Sequence, residues 1–138
     1  MAALPNIEIV TLLFILITRR FGIKALYSVY VFAFCEILTY GFHIWSINYL
    51  YIWAVLVLVI LPLRKIDNVL VYTLIAGIYG LLFGTLCSIP YFITGGITLG
   101  VSYIITGISF DFLHLFGNTL TVFFLYRPLT VVMNKIKI

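Results

Sequence analysis

Residues 69–93, VLVYTLIAGIYGLLFGTLCSIPYFI, form a long apolar run. It contains no Asp, Glu, Lys or Arg. As an α-helix it would rise about 38 Å at roughly 1.5 Å per residue, which is enough to cross a hydrocarbon core of about 30 Å. Apolar side chains cover every face of such a helix, whereas a barrel strand alternates apolar and polar residues. Because backbone groups in lipid must bond within their own segment, the stretch predicts a transmembrane helix.

The composition of the chain also indicates a membrane protein. Of its 138 residues, 64% are hydrophobic and 9% are charged, against about 45–50% and about 25% in ordinary soluble domains. A soluble domain of this size could not bury so much apolar surface. The composition therefore excludes a water-soluble globular enzyme and a disordered chain, and we expect the lipid bilayer to solvate the outer surface.

Five apolar runs predict an all-α membrane protein, a compact bundle of about five transmembrane helices that forms a single domain over 1–138. The expected spans are 7–18, 25–42, 47–63, 69–93 and 109–126. The first span is short for a bilayer. Residues 99–106 contain Gly100, and Gly107 follows them, so we expect a loop or a short interfacial helix there.

Basic residues predict how the helices are oriented. They fall in three clusters along the chain, namely Arg19, Arg20 and Lys24, then Arg64 and Lys65, then Arg127, Lys135 and Lys137. The connections 43–46 and 94–98 contain neither Lys nor Arg. The positive-inside rule places the three clusters in the cytoplasm and these two connections outside. Topology thus accounts for the net charge of +4, and no nucleic-acid partner is expected. This assignment starts the chain outside the cell and ends it in the cytoplasm. Together with the short first span, this order suggests that an initial helix is missing from the sequence.

Polar residues in the last span indicate a binding site. Asp111, His114 and Asn118 are spaced i, i+3, i+7 and so share one helical face. Ionisable groups in a membrane segment cost free energy unless they pair or face a cavity, so they usually mark a site. The alternative is an Asp–His bond that only fastens the bundle. We expect other helices to complete a substrate pocket with Glu36, Tyr40, Trp45 and Glu8. For Glu36 the alternative is a buried bond between helices, and for Glu8 it is a helix cap.

A stripe of small residues lies in the fourth run. Ala76, Gly80 and Gly84 are spaced by four residues, and small residues let two membrane helices approach closely. The stripe predicts either a docking face for another membrane protein or packing inside the bundle.

The motifs of common catalytic and metal sites are missing from the sequence. It contains no GxxxxGK[ST], HExxH, CxxC or GxSxG pattern, so we expect neither an enzyme nor a metal or cofactor site. Two other functions stay open. One is a small proton- or ion-coupled carrier or channel that uses Asp111, His114 and Glu36 as a relay. The other is a membrane scaffold subunit that transports nothing.

Three stretches resemble the substrate-binding S components of energy-coupling factor (ECF) vitamin transporters. LPNIEIVTLLFILITRRFGIKALYSVYVF, residues 4–32, resembles their second helix and the turn after it. AGIYGLLFGTL, residues 76–86, resembles their Gly-rich fifth helix. GISFDFLHLFGNTLTVFFLYRPL, residues 107–129, resembles their last helix, with its Phe-Asp opening and its Leu-Tyr-basic-Pro-Leu end.

This resemblance implies a function and a set of partners. It implies a six-helix fold, here without its first helix, that binds a vitamin or related micronutrient in an outward-facing pocket. A separate membrane coupling subunit and two ATPase subunits would supply the energy. The family's first helix carries small residues that contact the coupling subunit, and here only Ala2 and Ala3 could be its remnant. The implied location is a bacterial cell membrane, crossed several times.

Overall fold

The computed structural model describes residues 9–135, which are helical almost throughout. In chain order the helices are α1 (Val10–Phe21), α2 (Ala25–Tyr40), α3 (Ile44–Ile60), α4 (Val69–Leu81), α5 (Phe83–Cys87) and α6 (Ile89–Lys135). Short 3₁₀ turns occupy Gly22–Lys24 and Leu61–Leu63. Residues 9–135 contain no strand, which confirms the prediction of an all-α chain.

Three helical segments are long and apolar enough to cross a membrane: Val10–Tyr40, Ile44–Leu63 and Ile89–Lys135. Val69–Leu81 is a shorter apolar helix. Large apolar side chains such as Leu58, Leu74 and Ile93 lie on the outside of the bundle, where lipid would cover them. These features support a membrane bundle, while the number of crossings and their direction stay predictions.

The segment Val10–Tyr40 is bent in its middle. Gly22 has φ +61°, a conformation that residues with a Cβ rarely adopt. The rings of Phe14 and Phe32 lie 5.7 Å apart, whereas a continuous helix would separate these residues by about 27 Å. Helices α1 and α2 therefore fold back on each other, with the turn at Gly22 between them.

Helix α6 has two limbs, 89–95 and 97–135, because its backbone leaves helical geometry at Gly96 (φ +67°). The rings of Tyr91 and Tyr103 stack at 4.2 Å across this bend. The prediction of a separate loop or short helix at 99–106 was wrong, because these residues are continuous with the long limb. Gly100 does not break the helix. It makes room for Phe92, whose ring a Cβ at Gly100 would approach to 2.3 Å.

The predicted run 69–93 is helical in three pieces, α4, α5 and the short limb of α6. Leu82 and Ser88, which join the pieces, keep right-handed helical dihedral angles, so no extended residue separates one piece from the next. They run antiparallel to the long limb. The rings of Tyr72 and Tyr126 stack at 5.3 Å near one end of this pair.

The aromatic core of the bundle surrounds Trp53 of α3. Its ring lies within about 6.5 Å of five others, those of Phe14, Phe32, Tyr49, Tyr79 and Phe83. The Tyr79 hydroxyl donates a hydrogen bond of 2.8 Å to the Ile52 carbonyl. This bond ties α4 to α3 in the middle of the bundle.

Basic residues from distant parts of the chain meet at one end of the bundle. Arg19 donates to the Ile66 carbonyl at 2.9 Å, and Arg20 donates to the carbonyl of Met133. The ends of α1, α3 and α6 and the start of α4 therefore share this end, which we call the basic end. The predicted topology requires such an arrangement. The side of the membrane that it faces stays a prediction.

Candidate functional site

The small-residue stripe of α4 and α5 packs on the polar face of α6. The backbone N–H of Gly84 donates a hydrogen bond of 2.8 Å to Oδ1 of Asp111. The Asn118 side-chain amide donates to the Ala76 carbonyl at 3.4 Å. A Cβ at Gly80 would lie 2.7 Å from the backbone carbonyl atoms of His114. Two features that the sequence shows separately are thus the two sides of one interface.

This interface determines what the stripe can do. Ala76, Gly80 and Gly84 are all buried, and α6 of the same chain covers them. In this arrangement the stripe packs inside the bundle, which is the second of its two predicted roles. A partner that docks on this chain would need a different surface.

A cavity of about 420 Å³ opens beside this interface. Its size lies within the roughly 300–1,000 Å³ of small-molecule sites. It lies toward the end of the bundle opposite the basic end, since it includes the start of α3. Its lining comes from α3, α5 and the long limb of α6: Trp45, Phe83, Gly84, Cys87, Tyr103, Thr106, Gly107, Phe110, Asp111 and His114.

Asp111 provides the acidic group of the cavity. Its side chain is 6% exposed, and its Oδ1 is held by the Gly84 N–H. From the described residues, Oδ2 accepts no hydrogen bond. A buried carboxylate is costly unless it is paired or hydrogen-bonded, and the lining residues within 9–135 include neither Lys nor Arg. The geometry therefore leaves Oδ2 as an acceptor for a ligand group.

His114 lies one turn further along the same wall. It is 7% exposed, and its ring meets Phe83 edge-on with centroids 4.6 Å apart. Asn118 lies deeper, below the cavity, and its Oδ1 is buried without a partner among residues 9–135. Of the predicted triplet, Asp111 and His114 thus line the cavity and Asn118 supports the helix interface beneath it.

Trp45 reaches the cavity because the start of α3 is fixed. The Ser46 hydroxyl lies 2.7 Å from Nδ1 of His43 and donates to the Gly41 carbonyl at 3.0 Å. The backbone N–H of His43 also donates to the Ser46 hydroxyl at 3.3 Å, and the His43 side chain accepts from the Ser46 N–H, which together form a capping box. The Trp45 ring packs edge-on against Tyr49 at 5.1 Å, so it forms one wall of the cavity.

The structure does not bring every predicted site residue to the cavity. Glu36 and Tyr40 lie on α2, which packs against α1 and α3, and neither lines the cavity. Glu36 is half-buried, and Tyr40 is 69% exposed. Glu8 lies outside the described residues.

Sequence reasoning missed several residues that do line the cavity. Tyr103, Thr106, Gly107 and Phe110 share the spacing of three and four residues that leads on to Asp111. This periodicity was the available signal. It was lost because 99–106 was expected to lie outside the last span. Phe83 and Cys87 gave no local signal, since they look like ordinary apolar positions of the fourth run.

Comparison with known protein families, with curated proteins and with solved structures gives no match to this chain. The resemblance to ECF S components therefore rests on the sequence motifs alone. Within residues 9–135 no group of three or more His, Cys, Asp or Glu side chains could hold a metal ion. What the described site offers is an acceptor, an imidazole and aromatic walls.

Proposed function

We propose that this chain captures a small molecule in the Asp111 cavity, as the substrate-binding membrane subunit of an ECF-type importer for a vitamin or related micronutrient. The observation that carries the proposal is the buried Asp111 carboxylate. One of its oxygens is fixed by Gly84, and the other is left to a cavity of about 420 Å³ whose described lining residues include no Lys or Arg.

The chemistry of the cavity suggests what the ligand carries. A group with N–H or O–H donors, or with a positive charge, would satisfy the free oxygen of Asp111. The rings of Trp45, Tyr103 and Phe110 line the same space, and they would hold a flat, largely apolar body. The Thr106 hydroxyl and the His114 ring add polar contacts that can fix its orientation.

Import by this chain would need energy from other subunits. The sequence contains no phosphate-binding GxxxxGK[ST] motif. In the proposal a membrane coupling subunit and two ATPase subunits supply that energy in a bacterial cell membrane. Because α6 covers Ala76, Gly80 and Gly84, the coupling subunit would contact the exposed apolar surface of other helices.

A proton- or ion-coupled carrier is the second candidate. The polar row Asp111, His114, Asn118 runs from the cavity into the helix interface, which favours it. The next inward position on this face is Val122, and one turn later comes Tyr126, both fully buried. The apolar side chain of Val122 interrupts the row. A relay across the whole bundle therefore has less support than ligand capture.

Identification of a bound molecule tests the proposal. The chain is purified in mild detergent. The small molecules that co-purify with it are extracted and identified by mass spectrometry. Purified protein is also titrated with a panel of water-soluble vitamins and their precursors by calorimetry. The proposal expects a ligand that binds the parent and is lost or weakened in Asp111→Asn. It is overturned if no molecule accompanies the parent and no member of the panel binds.

A further inference from the structure

A second cavity, of about 260 Å³, lies at the basic end of the bundle. It is lined by Leu16, Arg19, Arg20, Asp67, Thr130, Met133 and Asn134. We propose that this cavity, the arginine pocket, binds the phosphate group of an anionic phospholipid. It lies at the other end of the bundle from Asp111, so the proposal does not depend on what that site binds.

Arg19 is held rigidly at the wall of the arginine pocket. Its guanidinium carbon lies 4.9 Å from the ring centroid of Tyr72 and 5.3 Å from that of Tyr126. Its Nη2 donates to the Ile66 carbonyl at 2.9 Å and contacts Asp67 at 3.4 Å. The two rings, these bonds and a further one from Nε to the Arg64 carbonyl at 3.4 Å hold the planar group, so its charge stays at the pocket wall without further loss of side-chain freedom.

The charge of the lining favours an anion. Among its described lining residues, two arginines and one aspartate give a sum of +1. The Asp67 side chain is 66% exposed, whereas that of Arg19 is 15% exposed. Water therefore screens the carboxylate more than the guanidinium. Guanidinium groups bind phosphate oxygens through charge-assisted hydrogen bonds.

The apolar part of the arginine pocket favours a lipid over a free phosphate ion. Leu16 and Met133 line it beside the arginines, and Val131 and Val132 are more than half exposed on the same stretch of α6. A phospholipid could place its phosphate at the arginines and an acyl chain on these side chains. The basic clusters meet at this end, and in the predicted topology they lie at the depth of the cytoplasmic head groups.

Native mass spectrometry with defined lipids tests the assignment. Delipidated protein in neutral detergent is titrated with phosphatidylglycerol, with phosphatidylcholine of the same acyl chains, and with glycerol phosphate as a soluble anion. We expect phosphatidylglycerol to bind about tenfold more tightly than phosphatidylcholine. The Arg20→Gln substitution should weaken phosphatidylglycerol binding about tenfold. Arg127→Gln is the matched control, since it removes the same charge at an exposed residue outside the pocket.

A second pair of variants covers the case in which Arg20→Gln fails to fold. Asn134 is exposed and lines the pocket. Asn134→Glu should repel the phosphate and weaken phosphatidylglycerol binding about tenfold, while Asn134→Gln should not. The assignment is overturned if Arg127→Gln loses as much affinity as Arg20→Gln, if Asn134→Glu binds like Asn134→Gln, or if glycerol phosphate displaces the lipid at equal concentration.

Discussion

The backbone N–H of Gly84 donates a hydrogen bond of 2.8 Å to the carboxylate of Asp111. The two residues come from antiparallel elements, α5 and the long limb of α6. A Cβ at residue 84 would lie 2.6 Å from Oδ2 and 2.7 Å from Oδ1, so the carboxylate holds this position only beside a glycine. Gly84 therefore both donates to the acidic group and makes room for it in the cavity.

Substitution of Gly84 should disturb this unit. In Gly84→Ala the new methyl group displaces the Asp111 carboxylate, and we expect the free energy of unfolding to fall by about 1–3 kcal/mol. Gly107→Ala is the control, since residue 107 lines the same cavity but its Cβ would meet nothing within 4 Å. Gly107→Ala should be neutral or stabilising by about 0.5–1 kcal/mol. Denaturant unfolding in detergent measures both, and equal stabilities would contradict the account.

Gly80 and Gly77 should differ although both face α6. A Cβ at Gly80 would lie 2.7 Å from backbone atoms of His114, which cannot rotate away. A Cβ at Gly77 would meet side-chain atoms of Thr119 and Leu115, which can change rotamer. We expect Gly80→Ala to cost about 2–3 kcal/mol of unfolding free energy and Gly77→Ala to cost less. The reverse order in thermal unfolding would show that the α4–α6 contact is not as close as described.

Cysteine labelling of intact cells tests the predicted orientation. Phe42 and Lys65 are both exposed and lie at opposite ends of α3. In a Cys35→Ser background, Phe42→Cys should react with a membrane-impermeant thiol reagent, and Lys65→Cys should react only after the cells are opened. The opposite pattern would mean that the basic end faces outward.

Much of the helical structure could be predicted because it depends on local sequence. Hydropathy marked α2, the end of α3 at the 3₁₀ turn and the start of α4 at Val69 within a few residues. The bend at Gly96 lies within the connection 94–98 that the sequence predicts. The helix over 99–106 could not be predicted from composition, because Gly100 and Gly107 weaken a helix as much as Gly96 does. The packing of the Phe92 ring against Gly100 shows why a glycine stands inside this helix, and that contact comes from the other limb.

The site was only partly predictable for a similar reason. The spacing of Asp111 and His114 placed them on one face from sequence alone. Their neighbour across the interface, Gly84, was visible only as part of a small-residue stripe that would suit any close helix. Glu36 looked equivalent to Asp111 in sequence, since both are lone acids in apolar runs. The packing of α2 against α1 and α3 keeps Glu36 away from the cavity.

The role of Asp111 in binding is tested by a comparison of Asp111→Asn with Glu36→Gln. Both substitutions turn an acid into its amide, but only residue 111 lines the cavity. Calorimetric titration uses the molecule that accompanies the purified protein or the member of the vitamin panel that binds. We expect Asp111→Asn to weaken binding about tenfold or more, because one hydrogen bond to a charged partner is lost, while its unfolding temperature stays near that of the parent. Glu36→Gln should bind like the parent. Normal binding by Asp111→Asn, with the loss appearing in its unfolding temperature instead, would contradict the claim and leave Asp111 as a fastening between helices.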